Sequence, residues 1–206
     1  MKNDFSLSKD QLALNYLRTE TRYLHEILDQ SLPLSNPNAT FDDYLKHLQL
    51  MRVWLLKMAT MMNDLKIGPY DFAKETNESA LLLISQDLID VLGYFPIKTP
   101  VLSYSQESFD NAAFHWGVQY VIEGSYLGGS FLNRRLKPLL GNKKAHFFTQ
   151  TAIWSKTRWP YFTNLLNKSI VLDEDKQYLN EGATCAFDYF ILLAEQNITE
   201  DAFVEK

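Results

Sequence analysis

The chain has 206 residues, 46% of them hydrophobic and 22% charged, which excludes wholesale disorder and suffices for one folded core. Its 20 basic and 25 acidic residues give a net charge of −5, which argues against a general polyanion binder. The single cysteine, Cys185, excludes an intramolecular disulfide framework and a cysteine-rich zinc site, and fits a reducing cytosol.

Met1 to Asp10, MKNDFSLSKD, has no apolar run of the secretory kind. The longest apolar runs, such as Leu81 to Ile84, fall far short of the roughly 20 residues of a membrane span. The expected product is soluble and cytoplasmic. With only 8 glycines, and most of the 7 prolines between periodic segments, helices are favoured over a β-rich architecture.

The first helical pattern follows Ser8-Lys9-Asp10-Gln11, an S-x-x-Q capping box. Leu14, Leu17, Thr21, Leu24 and Leu28 then recur at spacings of three and four, one buried stripe on one predicted helix. Pro33 to Asn38 ends it. Thr40 is a cap for a second helix with the stripe Tyr44, Leu48, Met51, Leu55, Met58 and Met62. Lys66 to Tyr70 breaks the pattern. A third helix is expected over Ser79 to Leu92, stopping near Gly93, and Tyr94 to Ser105 reads as a connector. A fourth spans about Ser108 to Leu136. Others are expected over Lys143 to Trp159, Tyr161 to Asn167 and Asp173 to Glu195. The fold class is all-α, with about seven helices. Neither internal repeats nor low-complexity segments interrupt it, so one domain over 1–206 is expected, with its core at about 10–195.

Four histidines are candidates for chemistry. His25 lies beside the first stripe, with Asp29 one helical turn on. A carboxylate on one imidazole nitrogen fixes the tautomer and leaves the other nitrogen for a metal. The same spacing also suits an ordinary helix histidine with a salt partner. His47 and His115 flank apolar stripes and read as packing or boundary residues. His146 falls in an exposed stretch. No pair has the spacing of a two-ligand helix site, but a single axial haem ligand needs none.

Gly124, Gly128 and Gly129 sit inside the fourth helical pattern. Each costs helix stability, about 1 kcal/mol in an interior. Gly124 and Gly128 share a face, which suits either close helix packing or a planar ligand against bare backbone. Arg134, Arg135, Lys137, Lys143 and Lys144 form a basic run without an acidic residue. The other 15 basic residues face 25 acidic ones, a net −10 elsewhere, so an anionic ligand or acidic partner is a candidate beside an ordinary solvated face. No phosphate-binding glycine loop and no G-x-S-x-G elbow is present. Cys185 reads as a small buried hydrophobe.

Leu17-Arg-Thr-Glu-Thr-Arg-Tyr-Leu-His-Glu-Ile-Leu-Asp29 resembles the proximal-helix motif of haem oxygenases. Glu123-Gly-Ser-Tyr-Leu-Gly-Gly129, with Tyr120 before it, resembles their bacterial distal-helix motif. Pro33-Leu34, Tyr44 and Gly182-Ala-Thr-Cys-Ala-Phe-Asp188 follow in the expected order, so the resemblance spans about 10–195. It implies an all-α haem oxygenase-like bundle with haem between a proximal and a bent distal helix. It implies His25 as the proximal iron ligand, supported by Asp29. Arg18 and Tyr120 would contact the haem propionates, and Gly124, Gly128 and Gly129 would let the distal helix lie over the haem. Ser125 would be the distal polar group, where animal members carry Asp.

The implied activity is oxidative opening of haem, substrate and cofactor at once, with dioxygen, to biliverdin, carbon monoxide and ferrous iron. No flavin or nicotinamide motif appears, so electrons would come from an external donor, a ferredoxin, flavodoxin or reductase. A non-catalytic haem sensor or store of the same fold, and a thiaminase-like enzyme dependent on a reactive cysteine, are the competing readings.

Overall fold

The computed structural model describes residues 12–92, 110–141 and 143–195, without the side chains of Ser130, Arg134, Arg135 and Lys137. The capping box at Ser8 to Gln11, the connector at Tyr94 to Ser105 and the expected limits at Gly93 and Ser108 lie outside those residues. Seven α-helices are found among the described residues: α1 (Ala13–Glu20), α2 (Arg22–Ser31), α3 (Phe41–Leu65), α4 (Tyr70–Leu92), α5 (Ala112–Leu140), α6 (His146–Ser169) and α7 (Asp173–Glu195). A 3₁₀ turn at Pro33–Ser35 joins α2 to α3. The all-α class holds, and no described helix is long and apolar enough to cross a membrane.

Thr21 divides what the stripe predicts as one helix. Its hydroxyl donates to the Leu17 carbonyl at 2.7 Å, the back-bonding that bends helices. Backbone bonds continue across the bend, from Thr21 N–H to Leu17 and from His25 N–H to Thr21. The apolar stripe therefore survives the interruption, with Leu17, Thr21 and Leu28 all buried.

Thr40 caps α3 in a reciprocal box with Asp43, and the whole expected stripe from Tyr44 to Met62 is buried. The helix stops where Lys66 turns left-handed, at φ 56°. In the following turn, Gly68 has φ 62°, and a side chain there would run into the Ala112 carbonyl. The next helix starts at Tyr70, nine residues before the expected Ser79. Its first turns are polar, but Ala73 and Asn77 are buried against other helices, which a surface pattern does not display.

α5 is the centre of the fold, packed most extensively on α6 and α7. Close approach depends on Gly117 and Gly182. A Cβ on Gly117 would collide with the Leu179 carbonyl of α7, and one on Gly182 with the Phe114 carbonyl of α5. Trp54 links α3 to the same layer, donating to the Ala186 carbonyl at 2.9 Å and stacking on Phe190 at 4.7 Å.

α6 continues through Pro160, where the sequence predicts two helices. Proline removes one backbone donor and disfavours helix before it. Phe162 and Leu166 beyond it are fully buried, so tertiary packing carries the helix across. The start of α6 is held from α4: the Asp87 carboxylate accepts from His146 N–H at 2.7 Å and Phe147 N–H at 2.9 Å. This anchors the helix that presents Phe148 and Trp159 to the site described next.

Candidate functional site

α2 packs on α7 rather than closely on α5, and a cavity of about 520 Å³ lies where α2, α3, α5, α6 and α7 meet. That volume falls within the roughly 300–1,000 Å³ of small-molecule and cofactor sites. Its wall combines an exposed rim with a buried apolar floor. Arg18, Arg22, His25, Glu26, Asp29 and Gly128 belong to the rim. Met51, Val121, Phe148, Phe187 and Phe190 belong to the floor.

Seven of the eight site residues singled out in the sequence come together here: Arg18, His25, Asp29, Tyr120, Gly124, Ser125 and Gly128 line the cavity directly. 

His47 of α3, which the sequence offers as a candidate histidine and reads as a packing residue, also lies on the cavity wall. The eighth, Gly129, faces α6 instead. A Cβ there would meet the Thr151 hydroxyl and Phe148 of α6, so Gly129 is a packing position between α5 and α6.

His25 and Asp29 form the most specific pair. The His25 Nδ1 and an Asp29 carboxylate oxygen are 3.1 Å apart, one helical turn apart on α2. A carboxylate accepts, so Nδ1 is the ring nitrogen that carries hydrogen, and in the neutral ring that leaves the lone pair on Nε2. The Phe187 ring packs beside the imidazole at 5.9 Å.

On α5, Gly124 and Gly128 have open space where a side chain would stand, with nothing within 4 Å of either added Cβ. They are not the small residues of a helix crossing; Gly117 and Gly182 hold that role. Between them, the Ser125 hydroxyl donates to the Ile122 carbonyl at 2.7 Å, keeping its own acceptor capacity. Tyr120 lies beside Thr21 and Arg18; burial raises its phenol pKa, and those two neighbours oppose the rise. Trp159 stands next to it at 6.0 Å between ring centroids.

The face of α5 turned away from the cavity carries a polar chain. Glu123, 1% exposed, receives Arg158 through Nη2 at 2.6 Å and Nε at 3.3 Å. Gln119 donates to Glu123 at 2.9 Å, Asn77 donates to Gln119 at 3.2 Å, and the Tyr126 hydroxyl donates to Asn77 at 3.0 Å. Arg158 also lies over the Phe72 ring, 4.1 Å from its centroid. The sequence motif contains Glu123, but its distant partner Arg158 has no local signature. Arg22, placed on the rim one turn from Arg18, was likewise unmarked by the sequence pattern.

His47 has a consequence for stability. Burial pushes its imidazole down to about 4 from 6.5. Between those values the unfolded chain takes a proton that the folded chain refuses, so this contribution is lost as pH falls from about 6.5 to about 4. At roughly 1.4 kcal/mol per unit, the loss is about 3 kcal/mol. Urea unfolding of the haem-free protein across that range should show this slope, and His47→Leu should flatten it.

Of the remaining candidates, His115 is fully buried, and His146 is half-exposed with Nε2 3.4 Å from Asp90. Lys143 and Lys144 of the basic run are exposed, and the Lys143 ammonium lies 4.4 Å from the centre of the Phe41 ring.

No family model matches the chain, and no curated protein matches it. Among solved structures it is similar to the haem oxygenase of Neisseria meningitidis, determined in NO- and CO-bound forms. The two share 21% sequence identity and superpose with a TM-score of 0.69, over 90% of this chain and 92% of that one. At that identity the likeness establishes the fold: the chain has the haem oxygenase fold, as the sequence motifs imply.

Proposed function

We propose that this protein is a haem oxygenase, a single domain over 1–206 acting in the cytoplasm. It binds haem in the cavity through His25 and opens the macrocycle to biliverdin, carbon monoxide and ferrous iron, using dioxygen and external electrons. The observation that carries this reading is the pairing, in one cavity, of an imidazole tied through Nδ1 to Asp29 with two bare glycines on another helix.

The residues fit the group. His25 offers Nε2 to an iron, and imidazole is a suitable axial ligand for haem. Gly124 and Gly128 leave room for a flat macrocycle against backbone, and the aromatic and aliphatic floor suits its apolar edge. Arg18 at the rim and the buried Tyr120 beside it supply a cation and a phenol for the propionates, and Arg22 adds a second cation. Haem supplies the iron that binds dioxygen and the carbon skeleton that is oxidised. The protein's part is to orient it, to exclude water with the buried floor, and to place the Ser125 hydroxyl where a proton is passed by hydrogen bond.

A thiaminase-like reading depends on a thiolate, and burial pushes the Cys185 thiol up to about 11. The cysteine is neither on the cavity wall nor activated.

Haem titration followed by aerobic reduction tests the proposal. Stoichiometric uptake with a histidine-ligated spectrum, then conversion to a bilin pigment, is expected. Uptake with stable haem under reduction would make the protein a non-catalytic binder. No uptake would end the haem reading.

The glycines give a sharper test. Gly124→Ala and Gly128→Ala place a methyl group in open space, so the haem-free protein should gain stability, up to about 1 kcal/mol from helix propensity. The same methyl intrudes on the bound macrocycle, so haem affinity or turnover should fall. Unchanged binding and products in both variants would return the glycines to a purely local role.

The basic run Arg134, Arg135, Lys137, Lys143 and Lys144 is proposed as a docking surface for an acidic electron donor, a ferredoxin, flavodoxin or reductase. Rim charges act chiefly on association rate, and salt screens them over a Debye length of about 8 Å at physiological ionic strength. Lys143→Glu with Lys144→Glu should slow reduction by the donor protein at low salt and leave turnover with ascorbate nearly unchanged. Equal loss with both reductants would contradict docking.

A further inference from the structure

Arg18 lies on α1 and His25 on α2, and the residue between the two helices is Thr21. Its backbone has φ −96° and ψ 2°, where a regular helix has ψ of roughly −42°. Thr21 is 2% exposed, lies on the cavity wall, and donates its hydroxyl hydrogen to the Leu17 carbonyl at 2.7 Å. The same carbonyl accepts from Thr21 N–H at 2.9 Å. Drawing a carbonyl toward a side-chain hydroxyl is how a threonine bends a helix.

The two halves rest on different supports. α1 packs on α6 as well as α7, and Leu14 N–H donates to the Asn167 side chain of α6 at 3.1 Å. α2 packs chiefly on α7, where the Phe187 ring stands 5.9 Å from that of His25. The Thr21 carbonyl accepts from His25 N–H at 3.0 Å, so a backbone bond joins the bend to the proposed iron ligand. Tyr120 of α5 lies beside both Thr21 and Arg18. Thr21 thus stands between the groups assigned to the propionates and the group assigned to the iron.

We infer that Thr21 is a positioning residue: its hydroxyl holds the bend that sets the spacing and angle between Arg18 and His25, and so fixes which edge of the macrocycle lies against the glycines of α5. The assignment deepens the haem reading above and rests on it. The lever is short but sufficient. A kink of about 20° acting over the roughly 6 Å rise of four residues displaces the imidazole by about 2 Å. Misplacement by about 1 Å can cost on the order of 100-fold in rate. Loss of the hydroxyl strands no buried acceptor, because the Leu17 carbonyl keeps its bond from the backbone N–H of residue 21.

Three substitutions test it. Thr21→Val removes the hydroxyl and keeps the branched shape, Thr21→Ala removes it by a second route, and Thr21→Ser keeps it. In haem-free crystal structures, Thr21→Val and Thr21→Ala should each show one continuous helix from Ala13 to Ser31, and Thr21→Ser should keep the bend. In the ferric cyanide complex, the haem-methyl proton shifts report the seating of the macrocycle and the plane of the axial imidazole. Their pattern should change in Thr21→Val and Thr21→Ala and match the parent in Thr21→Ser. Haem affinity should fall about tenfold in the first two, as for a residue that orients a metal ligand from behind, and stay within about threefold of the parent in Thr21→Ser. The ratio of bilin isomers formed on turnover should shift in the same two variants. A bend retained in Thr21→Val and Thr21→Ala, or an unchanged shift pattern in both with haem bound through His25, would overturn the inference and leave the haem reading intact. Failure of the parent to take up haem would overturn that reading, and the inference with it.

Discussion

His25→Ala should abolish the histidine-ligated haem spectrum while leaving the helical fold in place. The His25 side chain is 60% exposed and its Asp29 partner 64%, so neither belongs to the apolar core. Truncation at such a site usually changes stability by no more than about 0.5 kcal/mol. Haem-free unfolding by urea should therefore be nearly superimposable on the parent. Haem affinity should drop steeply, because the cavity retains apolar contacts and rim cations but loses its iron ligand. Asp29→Asn should have a smaller effect in the same direction. It preserves shape but lets the ring choose the other tautomer, and partners of metal-binding histidines commonly contribute 10–100-fold to affinity. An unchanged axial-ligand spectrum in His25→Ala would move the ligand to another residue.

Arg158→Ala should be among the most destabilising single substitutions in the molecule. Glu123 is 1% exposed and receives two hydrogen bonds from the guanidinium. Removing the arginine strands a buried carboxylate, which typically costs about 3–5 kcal/mol. Charge burial rather than pair attraction sets this size, so a second variant separates the two. Replacing both residues with methionine removes the stranded charge, and most of the lost stability should return. Urea unfolding of the single and double variants reads this directly. Equal destabilisation in both would assign the effect to packing against Phe72 instead.

These two predictions concern opposite sides of one arrangement. α2 presents His25, and α5 presents bare glycine backbone. The Glu123 to Arg158 pair holds the reverse face of α5 against α4 and α6, through Gln119, Asn77 and Tyr126. The polar chain thereby fixes the helix that carries Gly124, Ser125 and Gly128.

Much of this was legible in the residues. The α3 stripe from Tyr44 to Met62 is uninterrupted, and Thr40 signals its start, so spacing alone located the helix. α7 runs from Asp173 to Glu195, the range expected from the sequence, and Asp173, Glu174 and Asp175 open it. The site assembled from motifs on α1, α2 and α5 whose members share helix faces, including Gly124 and Gly128 at a spacing of four.

What escaped was tertiary. The bend at Thr21 depends on a hydroxyl turning back to a carbonyl four residues earlier, which an apolar stripe conceals. Pro160 looks like a helix end, and only the burial of Phe162 and Leu166 explains its place inside α6. The early turns of α4 look like a solvated segment until Asn77 meets Gln119. His47 sits beside an apolar stripe and reads as packing, since nothing local says that the floor of a cavity lies against it. Gly129 shares a motif with Gly128 but, one residue on, turns about 100° around the helix and meets α6.

The most direct test of the central claim is the carbon monoxide released in one aerobic turnover of the haem complex with a reductant. About one equivalent per haem, with a bilin pigment in the parent and neither product in His25→Ala, is the expected result. Intact haem recovered after reduction in the parent, with no carbon monoxide, would contradict the account.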